Sequence, residues 1–410
     1  MRLSATAIVF WACLGVVLYT YAVYPLLLLV LAALTQTVRD LSFLLRRQQR
    51  RTGEREQFTP RVAMLVAAYN EQDVIEAKLD NTAALEYPLG QFELLLGLDS
   101  PTDATPEYVQ RVKHPAFRVF HFAERRGKLA VLDDLRERTS AEILVFSDAN
   151  SQLVPDCLRK LTRHFADPGV GAVCGELRVL SPDGKPAMES LYWRYEIVLK
   201  FLENRLNCVL GANGAVFAVR RELYRPPPSA IIEDFRVPMD IRFAGHRVVY
   251  DPEAVANEEA PPTHGDEFRR KVRIGSGAFQ TLFGNPQFLN PLKGLPAFAY
   301  LSHKALRWLA PLLLLALLVS NGMLLTVSPL YRALLSIQVA FYVLSGIGWL
   351  RARGGRLSGP AGAAYCFTNM NLALLFGLFR LFGGRQHAVW SSTPRRVGGP
   401  VAHVKGELHE

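Results

Sequence analysis

The sequence predicts an α/β domain with a mostly parallel sheet, placed between apolar segments that are long enough to cross a membrane. Short apolar runs bounded by polar residues, of which 143–146 is the clearest, are typical of strands buried on both faces. They alternate with segments of helical apolar spacing, and this alternation predicts βαβ units. Apolar runs of roughly 20 residues or more stand near both ends of the chain.

The composition limits the classes of partner. The 410 residues carry a formal net charge of +10, and half of them are hydrophobic. Much of the positive surplus follows the first apolar run, and basic clusters of this kind mark the cytoplasmic side of a span. No aromatic and basic platform accompanies the charge, so no nucleic-acid partner is expected. The five cysteines are scattered without CxxC spacing, which argues against a disulfide framework and a zinc site.

The chain divides into five predicted segments. The apolar run 7–34 is too long for a signal peptide, and the basic stretch follows it instead of preceding it. A retained anchor is therefore favoured over a cleaved leader. The segments are an N-terminal transmembrane anchor (1–45), a basic cytoplasmic linker (46–59), the α/β domain (60–285), C-terminal transmembrane or interfacial helices (286–384) and a basic tail (385–410).

The C-terminal apolar runs predict a hairpin and one further helix. Runs 305–327 and 330–350 are joined by a short link with Pro329 and should return the chain to the cytoplasm. The last run, 361–382, is interrupted by Asn and Gly residues, and either crosses the membrane or lies in its interface. A crossing would place the basic tail outside, against the positive-inside rule, so a non-crossing segment is favoured.

Polar residues at the ends of the predicted strands indicate a ligand site. Tyr69 and Glu71 follow strand 62–68, and Asp99 follows strand 92–98. In open α/β sheets, ligands bind outside the carboxyl ends of the strands. These residues are therefore candidates for ligand contact, although an Asp at such a place can also serve only to form the turn.

The strand at 143–146 leads to Asp148 and Asn150, which we interpret as ligands of a divalent metal. Carboxylate and amide oxygens suit Mg²⁺ or Mn²⁺ that carries a diphosphate. The alternative is that Asp148 caps the following helix. The neighbouring motifs favour the metal site.

Six short motifs occur along 60–285: Val66-Ala67-Ala68-Tyr69-Asn70-Glu71, Leu98-Asp99 with Asp103, Gly127-Lys128, Ser147-Asp148-Ala149-Asn150, Glu233-Asp234, and Arg270-Lys271-Val272-Arg273. In this order they resemble the motifs of membrane-embedded, inverting glycosyltransferases of family 2, of the cellulose, hyaluronan and chitin synthase type. The resemblance implies the GT-A fold, a nucleotide-sugar donor that is most often UDP-linked, and a divalent metal. It also implies an integral protein of a bacterial-type inner or plasma membrane with a cytoplasmic catalytic domain.

The resemblance assigns the donor-binding residues. Asp99 should hydrogen-bond the nucleobase edge, with Ala67, Tyr69 and Glu71 in the same pocket. Lys128 should meet the phosphates as a point charge, although a solvated lysine is nearly as good an interpretation of that residue alone.

Asp148 should bind the metal that neutralises the leaving diphosphate. The family usually has Asp where Asn150 stands, and Asn brings a carbonyl oxygen but no charge. A non-catalytic membrane scaffold that binds a nucleotide is an alternative from a different class. Asn150 is the feature that argues for it.

The Glu233-Asp234 pair matches the end of the family's Thr-Glu-Asp motif. Inversion requires one base for the acceptor hydroxyl, and Asp234 is the expected base, with Glu233 orienting it or the sugar. An ordinary acidic helix start is the alternative. Arg270 and Arg273 match the ends of the family's Gln-x-x-Arg-Trp element and should hold the diphosphate. Ile274 stands in place of the Trp, and a basic helix on lipid headgroups is a second interpretation.

The acceptor side is predicted from glycine and aromatic residues. Gly211 and Asn213 lie in a stretch where the backbone can approach a ligand closely, and Trp193 offers a face for a sugar ring, although such aromatic residues are more often core. The expected acceptor is a growing polysaccharide threaded between the spans. A lipid that receives one sugar is the alternative. Membrane lipids and accessory export subunits are the other expected partners.

Overall fold

The computed structural model describes residues 4–46, 57–180, 190–227, 232–260, 263–354 and 359–383. The predicted basic tail (385–410) and most of the predicted linker (46–59) lie outside these residues. The helices are α1 (Ala5–Leu18), α2 (Tyr24–Arg46), α3 (Ile75–Ala83), α4 (Thr105–Arg111), α5 (Lys128–Glu137), α6 (Cys157–Thr162), α7 (Ser190–Arg205), α8 (Glu233–Phe243), α9 (His264–Gly284), α10 (Leu295–Ala299), α11 (Leu306–Met323), α12 (Pro329–Arg353) and α13 (Gly359–Phe382).

The strands form a single mixed sheet within the described residues. They are β1 (Val62–Ala68), β2 (Phe92–Asp99), β3 (Phe117–Phe122), β4 (Ile143–Phe146), β5 (Gln152–Leu153), β6 (Val170–Leu180), β7 (Phe217–Arg220) and β8 (Arg247–Glu259). Their order across the sheet is β3-β2-β1-β4-β7-β6-β8-β5. The first four neighbours are parallel, and the pairs that involve β7 and β5 are antiparallel.

Both faces of the central strands are buried, which explains why these strands are apolar without interruption. Every residue of β1 is buried. Since side chains alternate across a strand, Val62, Met64 and Val66 pack on the face that carries α3 and α6. Ala63 and Leu65 pack on the opposite face, with α5 and α8. The sheet is therefore the middle layer of three, as predicted for βαβ units.

Helix α8 begins at Glu233, so the Glu233-Asp234 pair stands in its first turn and Pro238 lies inside it. Strand β8 runs from Arg247 to Glu259 and pairs with β6 along its length, so Glu258 lies in a strand.

Four helical stretches are long and apolar enough to cross a membrane: 5–45, Leu295–Met323, Pro329–Arg353 and Gly359–Phe382. A π-helical segment, Tyr19–Val23, joins α1 to α2, and a second, Tyr300–Ala305, joins α10 to α11. Whether α13 crosses or lies in the interface stays a prediction, because length and composition alone identify these stretches.

The two π-helical segments lie beside α7 of the α/β domain. Tyr19 Oη is 2.8 Å from Ser302 Oγ, so the two segments contact each other directly. Glu203 of α7 accepts a hydrogen bond from the Tyr24 hydroxyl at 3.1 Å and lies 2.5 Å from Nδ1 of His303. Glu203 and His303 are both buried. Polar contacts at this level therefore attach the apolar helices to the domain.

Helices α9 and α13 approach closely because glycines face each other. A Cβ on Gly377 would lie 2.6 Å from Ser276 N and 2.9 Å from Val272 O. Farther along, the rings of Phe283 and Phe382 are 6.2 Å apart. The C-terminal half of α13 therefore runs beside α9.

Gly377→Ala should destabilise the protein, because the added methyl group meets backbone atoms of α9 that cannot rotate away. Overpacking of this kind costs about 1–3 kcal/mol. Thermal melting of the full chain in detergent measures the effect. Gly322→Ala in α11 is the matched control, since a Cβ there meets nothing within 4 Å. Equal melting temperatures for the two variants would contradict the close packing of α9 and α13.

Candidate active site

The carboxyl ends of β2, β1 and β4 lie side by side, and their polar residues meet there. Ala68 of β1 is in register with Leu98 of β2, and Leu65 of β1 with Phe146 of β4. The loop residues that follow, including Tyr69, Asp99 and Asp148, are therefore brought to one edge of the sheet.

Asp99 holds the loop that precedes α5. Its buried carboxylate accepts hydrogen bonds from the backbone N–H of Arg126 at 2.7 Å and of Gly127 at 2.9 Å. Gly127 has φ +85°, which only glycine adopts without strain. This turn places Lys128 at the first position of α5. The predicted contact between Asp99 and a nucleobase stays a prediction.

Lys128 joins two of the predicted site carboxylates. Its Nζ lies 2.7 Å from Oδ1 of Asp148 and 2.5 Å from Oε1 of Glu233. Burial favours the neutral amine, but the two carboxylates outweigh it and raise the pKa of Lys128 above its ordinary value. The side chain is therefore a fixed cation between the end of β4 and the start of α8.

Asp234 is held beside this ion pair by the loop 211–214. Pro238 has no N–H to donate to the carbonyl of Asp234 four residues earlier, and that carbonyl accepts instead from Ala212 N at 2.9 Å. The carboxylate accepts from Phe235 N at 3.0 Å. Burial and the neighbouring Glu233 carboxylate raise the pKa of Asp234 to about 7, although Lys128 acts in the opposite direction.

Gly214 leaves a small space between two carboxylates. A Cβ on Gly214 would lie 2.9 Å from Oδ2 of Asp148 and 3.7 Å from Oδ2 of Asp234. Gly211, predicted for the acceptor side, has φ +66°, and a Cβ there would meet the Phe235 ring at 2.4 Å. Both glycines therefore let the loop pack tightly against the site.

Asp148, beside this space, fits a divalent cation that is also held by phosphate oxygens. Among the described residues, no group of three or more His, Cys, Asp and Glu side chains is placed to hold a metal ion. Asp148 and Asn150 offer hard oxygen atoms, and Mg²⁺ is commonly bound through one or two carboxylates together with substrate phosphates. The donor set suits a metal that arrives with its nucleotide.

Tyr69 and Glu71 are near the same edge, and one neighbour was not predicted. The Arg125 guanidinium carbon lies 3.5 Å from the centroid of the Tyr69 ring. Glu71 is buried, and its backbone N–H donates to Thr105 Oγ1 at 2.9 Å. Ala67 is a buried residue of β1. Arg125 could have been suspected only as part of the basic run before Lys128.

Other predicted residues contact different parts of the protein. Arg270 pairs with Glu267 on its own helix, with N–O distances of 2.9 and 3.1 Å, and Arg273, on the same helix, is half-buried. Asn213 donates to Gly175 O at 2.9 Å and so fixes the loop. The backbone of Trp193 lies in α7, but its side chain is outside the described residues.

Lys78 was missed by the sequence analysis and lies fully buried beneath the site. Its Nζ donates to Ser147 Oγ and to the carbonyl of Ser151, each at 2.8 Å. Burial lowers the pKa of Lys78 to about 8, and the nearby Asp148 carboxylate counters this effect. The sequence signal that could have found Lys78 was its position, three residues after Ile75 and one before Leu79. This spacing places a lysine on the apolar face of α3.

Asp234→Asn should stabilise the protein more at high pH than at low pH. Since the folded-state pKa of Asp234 is raised to about 7, the folded protein binds this proton more tightly than the unfolded chain. The contribution of Asp234 to stability therefore falls as the pH rises from about 4 to about 7, and Asn has no such dependence.

Melting temperatures in detergent with EDTA, from about pH 5 to about pH 8, measure this prediction. The gain of Asp234→Asn over the wild type should grow with pH and become constant above about pH 7. Asp80→Asn, at an exposed position of α3, is the control for exchange of a carboxylate for an amide, and the gain of Asp234→Asn is compared with it at each pH. A gain of the same size at every pH would contradict the raised pKa.

Comparison with known proteins places this site in a family. The sequence model described as "Glycosyltransferase like family 2" matches residues 60–277. Poly-beta-1,6-N-acetyl-D-glucosamine synthase of Staphylococcus aureus (strain MSSA476) is 25% identical over 237 residues, which cover 54% of this chain and 55% of that protein. The chain thus spans about half the length of this relative. An N-acetylglucosaminyltransferase of Rhizobium leguminosarum bv. viciae is 25% identical over 341 residues, 78% of each chain.

A solved structure confirms the predicted fold. Mannosyltransferase PcManGT from Pyrobaculum calidifontis, in complex with GDP-Man and Mn²⁺, superposes with a TM-score of 0.68 at 23% identity, over 93% of this chain and 99% of that chain. At this identity the likeness shows the GT-A-type fold alone. Because the family match covers more than half of the sequence, the chain belongs to glycosyltransferase family 2.

Proposed function

We propose that this glycosyltransferase inverts the anomeric centre as it moves a sugar from a nucleotide-sugar donor to a growing polysaccharide at the cytoplasmic face of a membrane. The observation that carries the proposal is the cluster of Asp148, Glu233 and Asp234 around Lys128, at the carboxyl edge of the sheet. It combines a cation for a diphosphate with a carboxylate whose pKa lies near neutrality.

The donor would lie along the edge from β2 to β4. Tyr69 and Asp99 follow the paired ends of β1 and β2, with Glu71 two residues farther along, and the nucleobase would be bound there. The diphosphate would then extend towards Lys128 and Asp148. Arg270 and Arg273 are proposed for the diphosphate on the family resemblance, and Arg270 would have to exchange its Glu267 partner for phosphate oxygens.

Asp148 and Asn150 would hold a divalent metal, Mg²⁺ or Mn²⁺, which neutralises charge on the leaving nucleoside diphosphate. The Mn²⁺ in the mannosyltransferase complex supports this choice by analogy. Lys128 then contributes a second positive charge on the same side.

Asp234 is the proposed base. A carboxylate with a pKa near the working pH can accept a proton from an acceptor hydroxyl as that oxygen attacks the anomeric carbon. The bond from that carbon to the diphosphate oxygen breaks at the same time, and the nucleoside diphosphate leaves. Glu233, held by Lys128, stands beside the base and keeps negative charge near it, which sustains its raised pKa.

The acceptor is proposed from the relatives and from the membrane helices. The staphylococcal relative is named as a polysaccharide synthase, which favours a polymer. A lipid acceptor is the second candidate, because α1, α11, α12 and α13 enclose an apolar groove of about 640 Å³ that suits a hydrocarbon chain. Its lining includes Phe10, Leu14, Leu317, Leu334, Phe341 and Phe367.

The orientation follows from charge and from helix contacts. Arg351 and Arg353 end α12, and basic residues of this kind favour the cytoplasmic side. The C-terminal half of α13 runs beside α9, whereas its first half packs against α12, where the rings of Phe341 and Phe367 are 5.6 Å apart. The non-crossing position of 361–382 is therefore proposed from the positive-inside rule, which keeps the basic tail on the cytoplasmic side. The α/β domain would then lie on the cytoplasmic face, with the N-terminus outside.

Asp234→Asn should lower kcat by about 10²–10⁴-fold while nucleotide binding is retained, because only the proton acceptor is lost. Wild-type kcat/KM should rise as the pH increases towards about 7 and level off above it, since the base must be deprotonated. Sugar transfer by membranes and nucleotide binding by calorimetry measure the two effects.

Asp240→Asn is the control for this variant. Asp240 lies on the same helix and pairs with Arg236 at 2.7 Å, away from the ion pair of Lys128. Its kcat should stay within about twofold of the wild type, as for a surface substitution. Unchanged transfer by Asp234→Asn would refute the assigned base, and no transfer by the wild type with any nucleotide sugar would favour the scaffold.

Product size should separate the two acceptors. Membranes incubated with radiolabelled UDP-sugars and GDP-mannose should yield long chains if the acceptor is a polysaccharide. A labelled lipid that carries one sugar would refute the polymer and establish the second candidate. Size-exclusion and thin-layer chromatography of the same extract distinguish the two products.

A further inference from the structure

Lys78 donates hydrogen bonds to both ends of the turn that carries Asp148 and Asn150. Ser151 N donates to the Asp148 carbonyl at 3.2 Å, which closes the turn. Ser147 precedes the turn, and the Lys78 ammonium donates to Ser147 Oγ and to the Ser151 carbonyl at 2.8 Å each. A single buried cation therefore connects the two residues that flank the proposed metal ligands.

Ser147 passes this restraint to the facing loop. A hydroxyl has one proton, and Ser147 Oγ donates it to Ala215 O at 2.9 Å while it accepts from Lys78. Ala215 follows Gly214, whose Cα faces Oδ2 of Asp148. The chain of contacts from Lys78 through Ser147 thus sets the spacing between the Asp148 turn and the Gly214 loop.

The helix that carries Lys78 is itself anchored to the same segment. Asn81, nearly one turn farther along α3, bonds through its side chain to both N and O of Leu153, each at 2.8 Å. The ammonium has little freedom to move, because Lys78 is fully buried and its helix is fixed at a second point.

We propose that Lys78 is a positioning residue that holds Asp148 and Asn150 in the geometry required to bind the divalent metal with the donor diphosphate. The proposal rests on the proposed metal-dependent function. It goes beyond that function because Lys78 lies beneath the turn, and its hydrogen bonds reach the proposed metal ligands through Ser147 and Ser151. Residues that orient metal ligands in this way typically raise metal affinity by about 10–100-fold.

The charge of Lys78 acts in the opposite direction. An ammonium repels a divalent cation, so its removal would strengthen metal binding if charge were its main effect. Its removal weakens metal binding if the hydrogen bonds to Ser147 and Ser151 are its main effect. The sign of the change in metal affinity therefore distinguishes the two roles. A loss of stability alone would leave the metal affinity of the folded protein unchanged.

The test is Mn²⁺ binding to the full chain in detergent, measured by electron paramagnetic resonance with UDP and with GDP. Lys78→Met keeps the length of the side chain without the ammonium and should weaken binding at least about tenfold. Thr82→Val is the matched control on α3, since Thr82 Oγ1 bonds only to the Lys78 carbonyl in the described contacts. It should bind Mn²⁺ as the wild type does.

A double-variant cycle tests the route through Ser147. Ser147→Ala should weaken Mn²⁺ binding, and the pair Lys78→Met with Ser147→Ala should be no more than about twofold weaker than Lys78→Met alone. If the double variant lost affinity by the product of the two single losses, the two residues would act independently, and the route through Ser147 would be overturned. Unchanged or tighter binding by Lys78→Met would overturn the proposal.

Failure of Lys78→Met to fold and absence of Mn²⁺ binding by the wild type have separate meanings. If Lys78→Met does not fold, Ser147→Ala decides the question, because unchanged Mn²⁺ affinity in that variant overturns the positioning role. If the wild type binds no Mn²⁺ with either nucleotide, the proposed metal-dependent function fails instead, and the result is separate from any effect of Lys78.

Discussion

The ion pair of Lys128 with Asp148 and Glu233 is the interaction on which the site depends. Three carboxylates close together in a partly buried space cannot all stay ionised without a cation, since each raises the pKa of the others. Lys128 supplies that cation and links β4 to α8. Its own position comes from Asp99, which holds the turn before α5. The loop after β4 and the start of α8 are thus joined through charge.

The first half of the domain could be predicted closely because its strands are buried on both faces. β1 and β4 have the predicted bounds, since a short uninterrupted apolar run suits a central strand that is covered on both faces in a three-layer domain. The start of α8 is harder to infer, because proline is typical of a first helical turn and Pro238 lies five residues after Glu233. The structure accommodates Pro238 inside the helix, where the carbonyl it leaves without a helical partner binds Ala212.

The site residues that could be predicted are those with recognisable motifs, and the missed ones act through contacts between distant segments. Lys78 lies 69 residues before Ser147, and no local pattern relates them. Arg125 covers Tyr69 only because two loops meet at the sheet edge. Family motifs thus indicate which chemistry a site contains, whereas the residues beneath and above it depend on the packing of the whole domain.

The contact between α7 and the π-helical segments has a consequence for any shortened version of this protein. A fragment restricted to the α/β layers would lose Tyr24 and His303, and Leu199 and Leu202 of α7 would be uncovered together with Glu203. Such a surface invites self-association. A shortened version that keeps α7 covered therefore has to include α2 and the segment Tyr300–Ala305.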